Sequence, residues 1–241
     1  IEQLNMNVVW IATGGLLGYS SRAELSQTLS EARAAQEQYV QRIADASLEE
    51  IRADQELFQF AVAGGRSAFS INCAPCHGSG AQGAPGYPNL NDDKWLWGGT
   101  PEEIYTTLRY GIRAPDNDDT RISDMPAFGA DDLLEPVEIE DVAQYVLSLS
   151  GKEHDGEAAA RGKTLFADNC ASCHGESGEG VKDFGAPALN DAIWLYGDNA
   201  EAVRAQITNP KHGVMPAWAG RLDDTVIKQL TVYVHSLGGG E

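Results

Sequence analysis

Residues 73 to 77 read Cys-Ala-Pro-Cys-His and residues 170 to 174 read Cys-Ala-Ser-Cys-His, and these two pentapeptides hold all four cysteines of the 241-residue chain. Two thiols three residues apart, with a histidine directly after the second, form the attachment pattern of c-type haem. The thiols add to the two vinyl groups of a porphyrin, and the histidine ring then faces the iron as a fixed axial ligand. Other uses of cysteine fit less well. A structural zinc site wants its second pair close by, whereas these pairs lie 97 residues apart, each with its own histidine. A redox dithiol or a disulfide framework leaves the two histidines unexplained. Two covalently attached haem c groups are therefore expected, one on Cys73 and Cys76 and one on Cys170 and Cys173, with His77 and His174 as proximal iron ligands.

The surroundings of the pentapeptides repeat too, and internal repeats report duplicated structural units. Gly65-Arg66 and Phe69 recur as Gly162-Lys163 and Phe166. Pro88, Leu90-Asn91-Asp92 and Trp95-Leu96 recur as Pro187, Leu189-Asn190-Asp191 and Trp194-Leu195. Met125-Pro126-Ala127-Phe128 recurs as Met215-Pro216-Ala217-Trp218, and Tyr145-Val146 with Ser148-Leu149 recurs as Tyr233-Val234 with Ser236-Leu237. The order is the same in both halves, with a longer loop before Met125 than before Met215.

Each copy reads as short helices joined by Gly- and Pro-rich loops. The first helix of each copy runs into its pentapeptide. A second begins near Thr100-Pro101-Glu102-Glu103, with Ile104 and Leu108 one turn apart; Val203 and Ile207 are the matching pair. The last helices carry Ile139, Val142, Val146 and Leu149, and Val226, Leu230, Tyr233 and Leu237, spacings that define one apolar face each. The fold class expected is all-α: two tandem cytochrome c-like domains, each around a covalently bound haem, after an N-terminal helical segment. The divisions expected are 1–20 as the remnant or flank of a membrane anchor, 21–62 as a helical connector, 63–150 as the first domain and 151–241 as the second. The polar stretch from Ser150 to Gly156 is the linker. With so few helices the haem must supply much of each core, so neither half is expected to fold without it.

The distal iron ligands must come from elsewhere in the chain. Met125 and Met215 occupy equivalent Met-Pro-Ala positions, and a thioether suits haem iron, with Met/His ligation raising the reduction potential. Both are expected to bind iron; order along the chain leaves open which Met serves which haem. Met6 has no such context. His212 has no counterpart in the first copy and is expected at the surface, as are His154 in the linker and His235 on the last helix. Trp95, Trp97, Trp194 and Tyr196 carry polar tips that suit a haem propionate, although packing explains them equally well.

The chain holds 17 Lys and Arg against 36 Asp and Glu, a formal charge of −19. That excludes a nucleic-acid surface, which needs basic patches, and docking onto anionic lipid through a polybasic stretch. A basic protein partner is the natural complement. The charge is uneven, with −5 on residues 152–241 and −14 on the rest, and ten acids between Pro115 and Asp141 face Arg121 alone. No run of about 18 apolar residues is present to span a membrane, and no signal peptide is visible. The start is expected to be processed or truncated.

Taken together, the two C-x-x-C-H units, each followed by Leu-Asn-Asp, Trp-Leu and then Met-Pro-Ala, resemble the dihaem subunit of cbb3-type cytochrome c oxidases, subunit III. The resemblance covers residues 62 to 238 and extends upstream through the Gly14–Arg22 stretch. Residues 22 to 62 read as helix, with Ser21 to Glu24 and Ser47 to Glu50 as capping boxes. The resemblance implies an electron relay that accepts electrons from a cytochrome c donor, expected to be basic. It would pass them through a monohaem cytochrome c subunit towards the catalytic haem–copper subunit. It also implies a bacterial inner-membrane location with the haem domains facing the periplasm. A free dihaem shuttle is the alternative, but has no obvious use for the long charged helical stretch upstream. A dihaem peroxidase needs an open iron position, which two Met-capped irons do not offer.

The resemblance implies, finally, an N-terminal anchor. Ile1–Asn5 looks like the segment entering a membrane helix and Gly15–Arg22 like the one leaving it, yet only nine residues lie between. A crossing needs about 20 apolar residues. The anchor is therefore incomplete in this sequence, through a natural deletion, an engineered removal, or the joining of two segments across a missing anchor; the last is expected, with one neighbouring Cα pair between Asn5 and Thr13 farther apart than about 3.8 Å.

Overall fold

A computed structural model describes residues 20–238. The anchor remnant and the break expected between Asn5 and Thr13 lie outside the described residues. Among those described, the regular structure is helical, with isolated β-bridges and no strand. The chain divides into two compact units, Ile1–Arg42 and Ile43–Glu241. Helix α1 (Ser21–Asp45) is polar and exposed over its first unit, where Leu25 and Leu29 face solvent. Its cap differs from expectation: Ser20, not Ser21, offers the side-chain oxygen, to the Ala23 N–H at 3.3 Å.

The expected helix over 22–62 is three helices. Ser47 and Glu50 form the anticipated capping box, and it opens a new helix, α2 (Leu48–Ala53). Asp54 then ends α2 and caps α3 (Gln55–Asn72), its carboxylate accepting from the Glu56 and Leu57 N–H groups. Each side-chain cap satisfies N–H groups that a helix start leaves unpaired. Because α3 runs through residue 62, the connector and the first domain share a helix. The Lys228 Nζ donates to the carbonyls of Ile43, Ala44 and Ala46 at 3.2, 2.8 and 2.8 Å, closing the end of α1.

The first copy continues with the one-turn helix α4 (Ala74–His77), α5 (Pro101–Tyr110) and α6 (Pro136–Leu149). The second holds α7 (Gly156–Asn169), the one-turn α8 (Ala171–His174), α9 (Ala200–Thr208) and α10 (Asp224–His235). Thr100 and Glu103 form the capping box of α5, with Pro101 at its first position, where a missing N–H costs nothing.

The packing exchanges partners between the copies. Helix α3 of the first copy lies on α10 of the second, and α5 packs on α10 as well. Conversely, α6 of the first copy lies on α7 and α9 of the second. Glycines set both helix contacts: a Cβ on Gly65 would strike the Gln229 carbonyl oxygen, and one on Gly162 the Asp141 carbonyl oxygen. Aromatic pairs repeat the relation, Phe69 on Tyr233 with ring centres 5.4 Å apart and Phe166 on Tyr145 at 5.2 Å. Two apolar clusters result. One joins Phe69, Cys73, Ile104 and Leu108 to Ile227, Leu230 and Val234; the other joins Phe166, Cys170, Val203 and Ile207 to Ile139, Val142 and Val146. The apolar faces read from the sequence are the buried ones, but each is buried against the other copy.

Candidate haem-binding sites

Helices α3 and α7 end on the first cysteine of each pentapeptide, and the chain turns at once into α4 and α8. Residues three apart on a helical turn are neighbours, so Cys73 and Cys76, and likewise Cys170 and Cys173, share a side. All four are free of disulfides. Cys73 and Cys170 are buried, and burial, with the neighbouring thiol adding, pushes each to about 11. A reactive redox dithiol requires a lowered thiol value, so this environment counts against that use. The pairs sit in different apolar clusters, which also removes a shared zinc site.

Each histidine is held at one nitrogen. His77 Nδ1 lies 3.0 Å from the Pro88 carbonyl oxygen, and His174 Nδ1 lies 3.0 Å from that of Pro187. A carbonyl can only accept, so Nδ1 carries the proton and Nε2 keeps its lone pair, the arrangement of a metal-binding imidazole. Burial lowers both rings below the ordinary histidine value against the opposing pull of the carbonyls, which favours the neutral ring. After each histidine a glycine with φ of 82° or 81° (Gly78, Gly175) reverses the chain, a conformation that other residues adopt at a cost. The His77 carbonyl then accepts from the Gly83 N–H at 2.8 Å, and that of His174 from the Gly180 N–H at 2.7 Å. Pro88 and Pro187 were visible in the repeat; their part in orienting the rings was not.

The methionine loops are placed by the exchange. Met215 packs against the cluster containing Cys73, and Met125 against the one containing Cys170. Backbone bonds hold them there. Ile112 and Met215 exchange N–H to carbonyl bonds at 2.9 and 3.0 Å, and the Trp218 N–H donates to the Leu108 carbonyl at 2.9 Å. In the other copy the Gly129 and Ala130 N–H groups donate to the Thr208 carbonyl at 3.2 and 2.9 Å. Each methionine loop thus hangs on the end of the second helix of the opposite copy.

The donor set fits haem c. It offers two thiols on one helical turn, an imidazole with a free Nε2 and a thioether in the same apolar cluster. Three buried side-chain nitrogens among the described residues lack a partner: Trp194 Nε1, Arg109 Nε and Arg121 Nε. Trp194 packs on the Cys170 cluster; a buried N–H without an acceptor costs about 1–3 kcal/mol, and a haem propionate would be a suitable acceptor. Trp97 and Tyr196 serve differently. Each is covered by a cation four residues before a methionine, Arg121 over Trp97 at 5.5 Å and Lys211 over Tyr196 at 5.9 Å. Each also lies beside a glycine of the other copy, Gly185 or Gly86.

His154 is exposed and bonds the Lys152 carbonyl, His235 ends α10, and His212 lies 4.0 Å from Asp124. The acidic run of 115–141 is partly neutralised by distant arginines, Asp116 by Arg221, Glu140 by Arg204 and Asp141 by Arg161. Asp118, Asp119, Asp131 and Asp132 remain exposed. No helix among the described residues is long and apolar enough to cross a membrane.

The family described as cytochrome c oxidase, cbb3-type, subunit III, matches residues 60–146 and 157–234. Among curated proteins, the chain is 55% identical over 230 residues to the cbb3-type cytochrome c oxidase subunit FixP of Rhizobium meliloti, covering 95% of this chain and 79% of the relative. It is 51% identical over 236 residues to the CcoP subunit of Azospirillum sp., covering 95% and 80%. To the CcoP subunit of Cereibacter sphaeroides it is 49% identical over 230 residues, covering 95% and 79%.

Proposed function

The chain belongs to the family of subunit III of cbb3-type cytochrome c oxidases, and from that premise we propose that it holds two haem c groups whose sixth ligands are exchanged between its copies. It is an electron-transfer subunit, carries haem c and works in a complex with other oxidase subunits. In the proposed assignment, Cys73, Cys76 and His77 hold the first haem, with Met215 as its distal ligand. Cys170, Cys173 and His174 hold the second, with Met125 as its distal ligand. Haem c supplies a reversible one-electron couple at its iron.

The chain's own residues set the conditions for that couple. The Pro88 and Pro187 carbonyls orient the imidazoles, and burial keeps the rings neutral. With Met125 and Met215 as distal ligands, neither iron would keep an open position for peroxide, which favours transfer over chemistry at the iron. A basic cytochrome c is the proposed donor, with the exposed acids steering it. Electrons leave through a monohaem cytochrome c subunit towards the catalytic haem–copper subunit. The proposed site of action is the periplasmic face of the bacterial inner membrane.

The observation that carries the ligand assignment is the packing of Met215 with Cys73 and of Met125 with Cys170. To test it, Cys76→Ala marks the first haem, which then hangs on one thioether and absorbs at a displaced wavelength. In that background Met215→Ala lowers the midpoint potential of the displaced band, because Met/His ligation raises it, and Met125→Ala lowers that of the other. The reverse assignment overturns the exchange, and no change in either potential overturns methionine ligation.

A further inference from the structure

The two methionine loops meet at one side chain. Arg113 Nε donates to the Gly213 carbonyl at 2.8 Å, and its Nη1 donates to the Ser123 carbonyl at 2.8 Å. Each acceptor lies two residues ahead of a methionine, Gly213 before Met215 and Ser123 before Met125. Asp124 adds its carboxylate at 3.8 Å. The backbone of Arg113 is tied in as well. Its N–H donates to the Arg121 carbonyl at 2.8 Å, the Arg121 N–H returns to the Gly111 carbonyl at 3.2 Å, and the adjacent Ile112 pairs with Met215.

Two features set Arg113 apart from an ordinary surface arginine. Its φ is 52°, in the left-handed region that is unfavourable for a residue with a Cβ, so the surrounding bonds hold it in a conformation it does not favour. Counted back from the methionines, it also has no counterpart in the second copy. Between α9 and Met215 that copy has only Asn209 to Val214, whereas the first copy takes Gly111 to Asp124 to reach Met125. Arg121 and Lys211 are the matched cations, four residues before their methionines, and Arg113 sits in the extra length. The longer loop therefore brings one guanidinium to both loops of an otherwise paired structure.

We propose that Arg113 is a positioning residue shared by both iron sites, holding the approach to Met125 and to Met215 so that the two thioethers are fixed, and loosened, together. Guanidinium is suited to such bridging because it is planar and offers five donors in a rigid fork, so two carbonyls on separate loops are held at a set spacing. A lysine carries the same charge on a flexible stem and cannot reproduce the fork. The proposal rests on the reading of Met125 and Met215 as distal ligands.

The test uses the full chain with its haems attached, as wild type, Arg113→Lys and Arg113→Ala. Three quantities are read: the Met–iron charge-transfer absorption of the oxidised protein, both midpoint potentials, and the affinity of each haem for added imidazole, which binds only where a methionine has swung away. Both variants are expected to keep covalent haem, to weaken the charge-transfer band at both haems and to lower both potentials. Imidazole affinity should rise about five- to tenfold at each haem in Arg113→Ala, the effect of losing about one hydrogen bond per loop, with Arg113→Lys between it and wild type. Arg113→Lys carries the test where Arg113→Ala does not fold. A wild type with both bands, and a variant altered at one haem or at neither, overturns the proposal and leaves methionine ligation standing. A wild type without the bands overturns the ligation reading and the proposal with it.

Discussion

At the scale of single residues, the sites are built from backbone groups as much as from side chains. The histidines owe their tautomer to the carbonyls of Pro88 and Pro187, and the methionines owe their placement to bonds made by Ile112, Leu108 and Thr208. Trp194 is the residue whose polar atom is most conspicuously unmatched, buried on the Cys170 cluster without an acceptor. The acceptor expected is a haem propionate. Trp194→Phe keeps most of the ring's packing and deletes the donor, leaving the propionate's negative charge less compensated. The potential of the haem on Cys170 and Cys173 should then fall, on a scale where about 59 mV is a tenfold shift in a one-electron equilibrium, while the other haem is unmoved. Potentiometric titration reads both, and two unchanged potentials remove the role.

At the scale of elements, two helix pairs carry the fold, α3 on α10 and α7 on α6, and each meets at a glycine. On an exposed helix, alanine in place of glycine gains about 0.8–1 kcal/mol. At Gly65 and Gly162 the added methyl meets a backbone carbonyl of the partner helix, which no rotamer change relieves. Gly65→Ala and Gly162→Ala should each therefore destabilise, by about 1–2 kcal/mol net of the helix gain. Gly156→Ala, where nothing lies within 4 Å, should be neutral or mildly stabilising. Denaturant midpoints of the three variants compare them directly; equal midpoints for all three would show that the helix pairs tolerate wider spacing.

At the scale of the whole molecule, the exchange makes the two copies mutually dependent. A fragment ending at Ser150 lacks α10, and with it the partner of α3 and α5; a fragment starting at Gly151 lacks α6, the partner of α7 and α9. Each half expressed alone should fail to give a Met-ligated haem protein, whereas co-expressed halves, or the intact chain nicked in the linker, should assemble and show both Met–iron bands. Independent folding of either half would argue against the exchanged packing. The long-range field is a separate property. Asp118, Asp119, Asp131 and Asp132 are exposed, and neutralising all four should slow reduction by a basic cytochrome c at low salt and flatten its salt dependence. Unchanged kinetics at low salt would assign those acids to solubility alone.

Much of this was legible in the sequence, for reasons that are local. Covalent attachment needs Cys, Cys and His at fixed spacing, so the pentapeptides announce themselves. Caps need Ser, Thr or Asp beside a helix start, so Thr100 and Ser47 were readable, although the Ser47 box was also the sign of a helix boundary inside the stretch read as continuous. Apolar spacing named the buried faces of α6 and α10. What the periodicity could not supply was the partner of each face. Hydrophobic burial is non-directional, and the copies present the same glycine, the same aromatic and the same apolar stripe, so pairing within a copy and between copies look alike in sequence. Tertiary structure decided it, and the linker shows why. Six residues, Ser150 to Asp155, separate α6 from α7, and helices joined by so short a connection pack as neighbours. With α6 committed to α7, α3 is left to α10, and each methionine follows its helix to the apolar cluster around the other copy's first cysteine.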